Sequence, residues 1–379
     1  MRIVHISDCY APRLGGIETQ VRALAVRQVE AGHDVHVITA TPGDEVRRGT
    51  ELLEGVTVHR ATARMPADLP VHPRVASVVR GLLASGGAAG SADAVHVHGG
   101  VVSPFAYPAA RVARQLDLPT VVTIHGVWGG VFQPAARVAD LLTHWTRWGV
   151  VLTAVSEAAA EPIRALVGPD VAVGIVPNGI DVAAWRRPHV AGDPDEVRLV
   201  AVMRLAPRKR AMALVTMAHR ASADLPSGRR LRLTIVGDGP VAAQVRRYVE
   251  KHSLAHGRLV VDLAGRLTPD AVKATLAASD AFVAPAKLES FGIAALEART
   301  MGLPVLAYAA TGISTFVRDG VEGLLASDDE AMTDAIVRIA SDDALRVRIA
   351  EHNRSTDPDE AWPHVLQVVA DAYTTAHHR

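Results

Sequence analysis

Residues 285–297 read Pro285-Ala286-Lys287-Leu288-Glu289-Ser290-Phe291-Gly292-Ile293-Ala294-Ala295-Leu296-Glu297. The run just before them, Ala278-Ser279-Asp280-Ala281-Phe282-Val283-Ala284, is short and apolar and reads as a strand. Ala294 to Met301 reads as a helix, stopped by Gly302 and Pro304. The segment is therefore predicted to be a strand, a turn and a helix start. Ser290 is the expected N-cap, and Gly292 lets a ligand come close to the backbone. Amides left free at a helix start attract anions and hydroxyl-rich ligands. Glu289 at the mouth and Glu297 within the helix are hydrogen-bond acceptors. They suit the hydroxyls of a sugar or ribose, not a phosphate.

The same strand–turn–helix pattern opens the chain. Arg2 to Ser7 is an apolar strand, and Asp8 to Gly16 is a loop ending in Gly15-Gly16. Ile17 to Ala31 puts Val21, Leu24, Ala25 and Val29 on one helical face, Gly32 ends the helix, and Asp34 to Thr39 is the next strand. This βαβ unit lacks Gly-x-Gly-x-x-Gly, so a nicotinamide-type fingerprint is absent. Val56 to His59, Ala94 to His98 and Thr120 to Ile124 are further strands, and Phe105 to Leu116 and Pro134 to Trp148 are helix-like. Strands rich in β-branched residues that alternate with helices predict a parallel, doubly wound sheet. Ligands of such sheets bind at the carboxyl ends of strands, where His125-Gly126 and the pair His96 and His98 fall. Val71 to Leu83, with Arg74 and Arg80, reads as an amphipathic helix, and Ser85 to Ser91 as a flexible glycine-rich surface loop. Trp128, Trp145 and Trp148 are placed either to stack on a sugar or to fill a core.

Strand and helix alternate again in the second half. Gly149 to Val155 is a strand, and Ser156-Glu157 opens a capped helix. Ala191 to Glu196 reads as a linker before the strand Val197 to Met203. That strand leads into Arg204-Leu205-Ala206-Pro207-Arg208-Lys209-Arg210, where positive groups can neutralise a diphosphate. Leu231 to Val236 runs into Gly237-Asp238-Gly239-Pro240, and Leu259 to Ala264 into Gly265-Arg266-Leu267. Asp357 to Ala376 has helical spacing, with His377-His378 expected to be disordered.

A length of 379 residues favours two domains, and 49% hydrophobic content is enough for two cores. Lys and Arg number 40, as do Asp and Glu, and no basic run marks a nucleic-acid footprint. With one cysteine, Cys9, there is no intramolecular disulfide, and a reducing compartment is expected. Cys9 is expected to be a buried thiol. Met1-Arg2-Ile3-Val4 begins a strand at once, and no run of 18 apolar residues occurs. The expected location is the cytoplasm. A peripheral membrane contact stays open, since it needs only one amphipathic, Arg/Lys-bearing face.

Glu289-Ser290-Phe291-Gly292, a second glutamate eight residues on at Glu297, and Gly302-Leu303-Pro304-Val305 together resemble the signature of retaining, family 4-type glycosyltransferases. That group includes phosphatidylinositol mannosyltransferases and glycogen-synthase-like enzymes. The resemblance extends over nearly the whole chain, including Val173 to Asp181, Gly312 and Gly320 to Leu325. It implies a GT-B architecture: two Rossmann-like α/β domains facing across a cleft. The domains expected are 1–185 on the acceptor side and 186–355 for the nucleotide sugar, with 356–379 a terminal helix crossing back to the first. It further implies transfer of a hexose or N-acetylhexosamine from a nucleotide-diphosphate sugar, UDP- or GDP-linked, to an acceptor hydroxyl. Configuration would be retained by front-face transfer, with no metal, since two cations take its place. On the resemblance, Arg204 and Lys209 stabilise the leaving diphosphate, helped by Gly15, Gly16 and the turn Ser290, Phe291, Gly292 and Ile293. Glu297 holds the ribose, and Glu289 and His125 hold the transferred sugar. Gly237, Arg266 and Leu267 lie beside the base. The family's usual glycine after the lysine is Arg210 here, which leaves Lys209 and Arg208 as alternatives for that role. The partners expected are the donor and a small-molecule, glycan or lipid acceptor, with no nucleic acid. Two rival readings are a sugar-nucleotide epimerase on the same fold and a catalytically silent sugar-nucleotide-binding module.

Overall fold

The computed structural model describes residues 1–13, 15–63, 71–129, 134, 138, 140, 145–254 and 256–379. The chain forms two compact units, Met1–Gly179 with Trp362–Arg379, and Ile180–Ala361. Among the described residues no helix is long and apolar enough to cross a membrane.

Among the described residues the first unit is built on eight strands: β1 (Arg2–Ser7), β2 (Asp34–Thr39), β3 (Gly49–Leu53), β4 (Val56–Arg60), β5 (Ala94–Gly99), β6 (Thr120–Ile124), β7 (Val151–Ala154) and β8 (Val173–Ile175). Their order is β3-β4-β2-β1-β5-β6-β7-β8. Every pairing is parallel except that of β3 with β4. The interior strands are Val-, Ile-, Ala- and Thr-rich, with His5 on β1 and His96 and His98 on β5, and are buried along almost their whole length. That is the pattern of a sheet covered on both faces. β3 is an exposed edge strand without apolar alternation, and for that reason the sequence reading missed it. The order reverses at β1, which pairs with β2 on one side and β5 on the other. The turns after β1 and β5 therefore flank the switch point.

Three sequence expectations are corrected in this unit. Residues 85–91 form the surface loop expected, but its end is pinned: Ala89 is fully buried and donates its N–H to the Leu82 carbonyl, and the Gly90 carbonyl accepts from Arg2 Nη1. The helix expected from Val71 starts at Val75. His377 is the last residue of the terminal helix, and Arg379 donates to the Val150 carbonyl at 2.9 Å. The helix expected over Pro134 to Trp148 lies mostly outside the described residues, and Trp145–Arg147 forms a single tight turn.

Helix Trp362–His377 lays Trp362, Val365, Val369, Tyr373 and Ala376 against Ile3, Ala94, Val121 and Val151 of the first sheet. Residues at that spacing share one helical face. Trp362 also sits on Gly179, where an added Cβ would come within 2.4 Å of the indole. Gly179→Ala is accordingly expected to destabilise the protein by roughly 1–3 kcal/mol, the usual cost of overpacking. Urea unfolding checks this, and an unchanged midpoint would show that the indole can move aside.

The second unit carries β9 (Glu196–Val202), β10 (Arg230–Val236), β11 (Leu259–Gly265), β12 (Ala281–Val283), β13 (Val305–Tyr308) and β14 (Gly323–Ala326). All pairings are parallel, in the order β11-β10-β9-β12-β13-β14. Leu199, Leu233, Ile235, Leu214 and Ile336 form the centre of its core, each at most 1% exposed. Burying each such side chain contributes about 1.5–3 kcal/mol before the entropy of ordering is counted. Here the order reverses at β9, between β10 and β12. Residues 190–196 are tied into this unit: Val190 N–H bonds the Ala277 carbonyl, and Asp193 accepts from Arg230.

Candidate active site

The turns leaving β9 and β12 are the two that flank the switch point of the second sheet. They carry the paired cations and the paired acids. The β9 turn is held from below. Leu205 N–H donates to the Asp238 carbonyl at 2.9 Å, and Val241 N–H to the Leu205 carbonyl at 3.0 Å. Gly237 has φ +128, and a Cβ there would lie 1.9 Å from the Met203 carbonyl oxygen. Only glycine tolerates both the conformation and the approach, so Gly237 is already explained by packing under the cation turn.

Lys209 Nζ meets the Glu289 carboxylate, both side chains being about one-fifth exposed. Lys209, not Arg208, makes this contact. The ammonium has three donors, so one spent on Glu289 leaves two for a ligand. Arg204 and Arg208 are exposed, and neither side chain has a protein partner among the described residues. Arg210 has φ +60, a left-handed conformation that costs a non-glycine residue about 1–2 kcal/mol. Its guanidinium bonds Asp329 at 2.6 Å, the Tyr308 hydroxyl at 2.9 Å and the Pro285 carbonyl at 3.2 Å. Lys287 also meets Asp329, at 2.7 Å. Hydrogen bonds to charged groups are worth about 1.5–3 kcal/mol each, enough to hold arginine where a glycine would relax. The bracket fastens the cation turn to the start of the acid-bearing turn. The Arg210 and Lys287 bonds keep the Asp329 carboxyl well below its ordinary range.

The helix after β12 spans Ile293–Thr300. Its N-cap is Gly292, at φ +92, and no side chain caps it, which corrects the assignment to Ser290. A Cβ on Gly292 would lie 2.5 Å from Ile313, and one on Gly312 would lie 2.1 Å from the Ser290 carbonyl. The turn 289–292 is thus pressed onto the segment 312–313, and Gly312 N–H donates to the Glu289 carbonyl at 2.8 Å. Phe291 is 2% exposed and packs against Phe316. Its side chain belongs to the core, which leaves its backbone for any ligand contact. Burial pushes the Glu297 carboxyl up to about 8, with Lys273 a minor opposing influence. Among the described residues no group donates a hydrogen bond to it. Arg266 is exposed and Leu267 half-buried, in the turn after β11, where Gly237 N–H meets the Gly265 carbonyl at 2.7 Å.

In the first unit, Gly15 and Gly16 are exposed at the start of helix Gly16–Glu30, on the turn leaving β1. The Glu18 carboxylate lies against Gly15, and no side chain caps the helix. His125 follows β6 and is half-buried. Its Nε2 shares a hydrogen bond of 3.1 Å with His98 Nδ1. His98 Nε2 continues to His5 Nδ1 at 2.9 Å, and His5 Nε2 to Gln28 Oε1 at 2.6 Å. The ring nitrogens of His5, His96 and His98 gather as they would around a metal. Each of those nitrogens nevertheless has a protein hydrogen-bond partner. Cys9 is half-buried, and burial pushes its thiol up to about 11. Trp128, Trp145 and Trp148 line a mainly apolar cavity of about 610 Å³ with Tyr107, Val122 and Ile124. That wall is the face of β6 opposite Thr123.

The sequence reading named His125, His96 and His98 but not His5, Gln28 or Tyr373, and it passed over the Arg210–Tyr308–Asp329 bracket. One signal was available. Histidines two apart on one interior strand, with another on its neighbour, put several imidazoles on one buried face.

Residues 14–184 match the family model for Glycosyltransferase Family 4, and residues 184–356 that for Glycosyl transferases group 1. The glycogen synthase of Mycobacterium tuberculosis is 30% identical, over 99% of this chain and 95% of that one. The chain belongs to the family 4-type glycosyltransferases. A D-inositol 3-phosphate glycosyltransferase of Geodermatophilus obscurus is likewise 30% identical, over 98% of this chain and 88% of its own. The crystal structure of Anabaena HepE in complex with UDP and glucose superposes with a TM-score of 0.70 at 18% identity, covering 99% of this chain and 100% of that one. Its likeness shows the GT-B fold. The protein is therefore a glycosyltransferase of the group that draws on nucleotide-sugar donors.

Proposed function

We propose that this family 4-type enzyme moves a hexose from a UDP- or GDP-linked donor to an acceptor hydroxyl, with retention and without a metal. The observation that carries the reading is the Lys209–Glu289 pair at the β9/β12 switch point, with Arg204 on the same turn and without a side-chain partner among the described residues. Lys209 and Arg204 meet the charge that builds on the leaving diphosphate, which is where fixed cations lower a barrier most. Amides of the 290–293 turn and of Gly16 add to that field. Glu297, with no hydrogen bond from the described residues, accepts from the ribose hydroxyls, and Glu289 from the transferred sugar. His125 bonds the same sugar and is not a nucleophile. The leaving phosphate helps remove the acceptor proton. Gly237, Arg266 and Leu267 border the base mainly through backbone groups. UDP-glucose is the favoured donor and a hydroxyl-rich glycan or polyol the favoured acceptor, from the glycogen synthase, the inositol phosphate enzyme and the protein solved with UDP and glucose.

The test is a panel of UDP-, GDP- and ADP-sugars, scored by melting temperature and by donor hydrolysis with EDTA present. At a hundredfold excess over Kd the true donor adds about 2.7 kcal/mol, a rise of roughly 3–4 °C for a chain of 379 residues. Hydrolysis that needs an added divalent cation, or stabilisation by none of the sugars, would refute the proposal.

A further inference from the structure

We infer that a single hydrogen-bonded array, anchored on one backbone carbonyl, fixes the proton of His125 on Nε2 and presents Nδ1 as an acceptor, with Gln28, Tyr373 and Thr153 as its positioning residues. The inference rests on the placement of His125 against the donor sugar made above. All of the array lies in the first unit.

The direction of the array follows from its fixed end. The Val122 carbonyl can only accept, and Thr153 Oγ1 donates to it at 3.3 Å. A hydroxyl has one proton. With that proton on the Val122 carbonyl, Thr153 accepts from Thr123 Oγ1, 2.7 Å away. Thr123 in turn accepts from His96 Nε2 at 2.7 Å, which leaves His96 Nδ1 bare. His96 Nδ1 accepts from the Tyr373 hydroxyl at 3.0 Å. Tyr373 accepts from Gln28 Nε2 at 3.1 Å, so the Gln28 amide has one orientation. Gln28 Oε1 then accepts from His5 Nε2 at 2.6 Å. His5 Nδ1 accepts from His98 Nε2, and His98 Nδ1 from His125 Nε2.

Each step requires one proton per imidazole. Burial supplies that condition by holding His5 and His125 down at about 4 and His96 and His98 well below their ordinary value. Gln28, His5, His96, His98, Thr123, Thr153 and Tyr373 are all buried. Reversing the array would turn the Gln28 amide over, exchanging its Oε1 and Nε2, and would take the Thr153 proton off the Val122 carbonyl. His125 is the half-buried end, and its Nδ1 has no protein partner among the described residues. A bare Nδ1 accepts from a sugar hydroxyl, whereas the other tautomer would need an acceptor there.

The experiment is long-range ¹H–¹⁵N correlation on histidine-labelled full-length protein, with signals assigned by single His→Gln variants. The wild type is expected to show an imine-type nitrogen at Nδ1 of His125. Tyr373→Phe and Thr153→Val each cut the array away from its anchor. Both should mix the two His125 tautomers and lower kcat/KM for the donor about tenfold. Thr153→Ser keeps the hydroxyl and should restore both readouts. A protonated Nδ1 in the wild type overturns the inference. So does a fall in turnover or melting temperature with the tautomer unmoved. A tautomer change with turnover intact overturns the positioning role, and then the placement of His125 on the sugar is what fails.

Discussion

Arg204→Ala and Lys209→Ala are each expected to lower kcat by about 10²–10³, equivalent to ~3–4 kcal/mol of transition-state stabilisation. The donor KM should change by much less. Negative charge on the diphosphate grows as the sugar leaves, so a cation aimed at it matters more in the transition state than in the ground state. Stability should barely respond for Arg204, which is exposed and makes no ion pair among the described residues. Lys209→Ala leaves the half-buried Glu289 carboxylate without its cation and should cost up to about 1 kcal/mol. Initial rates with saturating acceptor, together with melting curves, separate the two effects. If both variants keep kcat within about threefold of wild type, the diphosphate is not stabilised from this turn. Because Lys209 and Glu289 touch, the Lys209→Ala and Glu289→Ala losses should not add.

Periodicity made some elements legible and tertiary context hid others. The β2 and β6 boundaries follow directly from β-branched runs closed by polar or glycine-bearing turns. The signature helix was readable to within a residue, but its cap was not. The cap rule favours Ser290, yet contact of the turn with Ile313 and Gly312 forces the left-handed conformation onto Gly292. Arg210 is the reverse case. The residue breaks the turn's local preference, and the compensation comes from Tyr308 and Asp329, a hundred residues away in sequence. The cations and acids could be named from their place in the chain. That β9 and β12 are neighbours, which brings Lys209 onto Glu289, is a consequence of strand order. The histidine array was the least accessible part. Gln28 and Tyr373 meet across 345 residues because the terminal helix packs on the first sheet, and no local pattern encodes that pairing.

Glu297→Gln is expected to weaken donor binding by about 10–100-fold at pH 8.5, the worth of a charge-assisted pair of hydroxyl bonds, and to have little effect near pH 6.5. In the free protein burial holds the Glu297 carboxyl up at about 8, so near neutrality it is mostly protonated. The ordinary carboxyl value lies near 4.3. Between that value and about 8 the unfolded chain ionises while the native protein keeps its proton, so this group's contribution to stability falls as pH rises through the window. Ribose hydroxyls donating to the carboxylate favour the ionised form. Donor binding should therefore release a proton, and the wild-type Kd should drop by up to about tenfold per pH unit from pH 6 towards 8 before levelling off. Calorimetry in buffers of different ionisation enthalpy reads that proton directly, and the variant should release none. A wild-type Kd that is flat from pH 6 to 9, with a glutamine variant weakened equally throughout, would show that Glu297 meets the donor already ionised, or does not meet it at all.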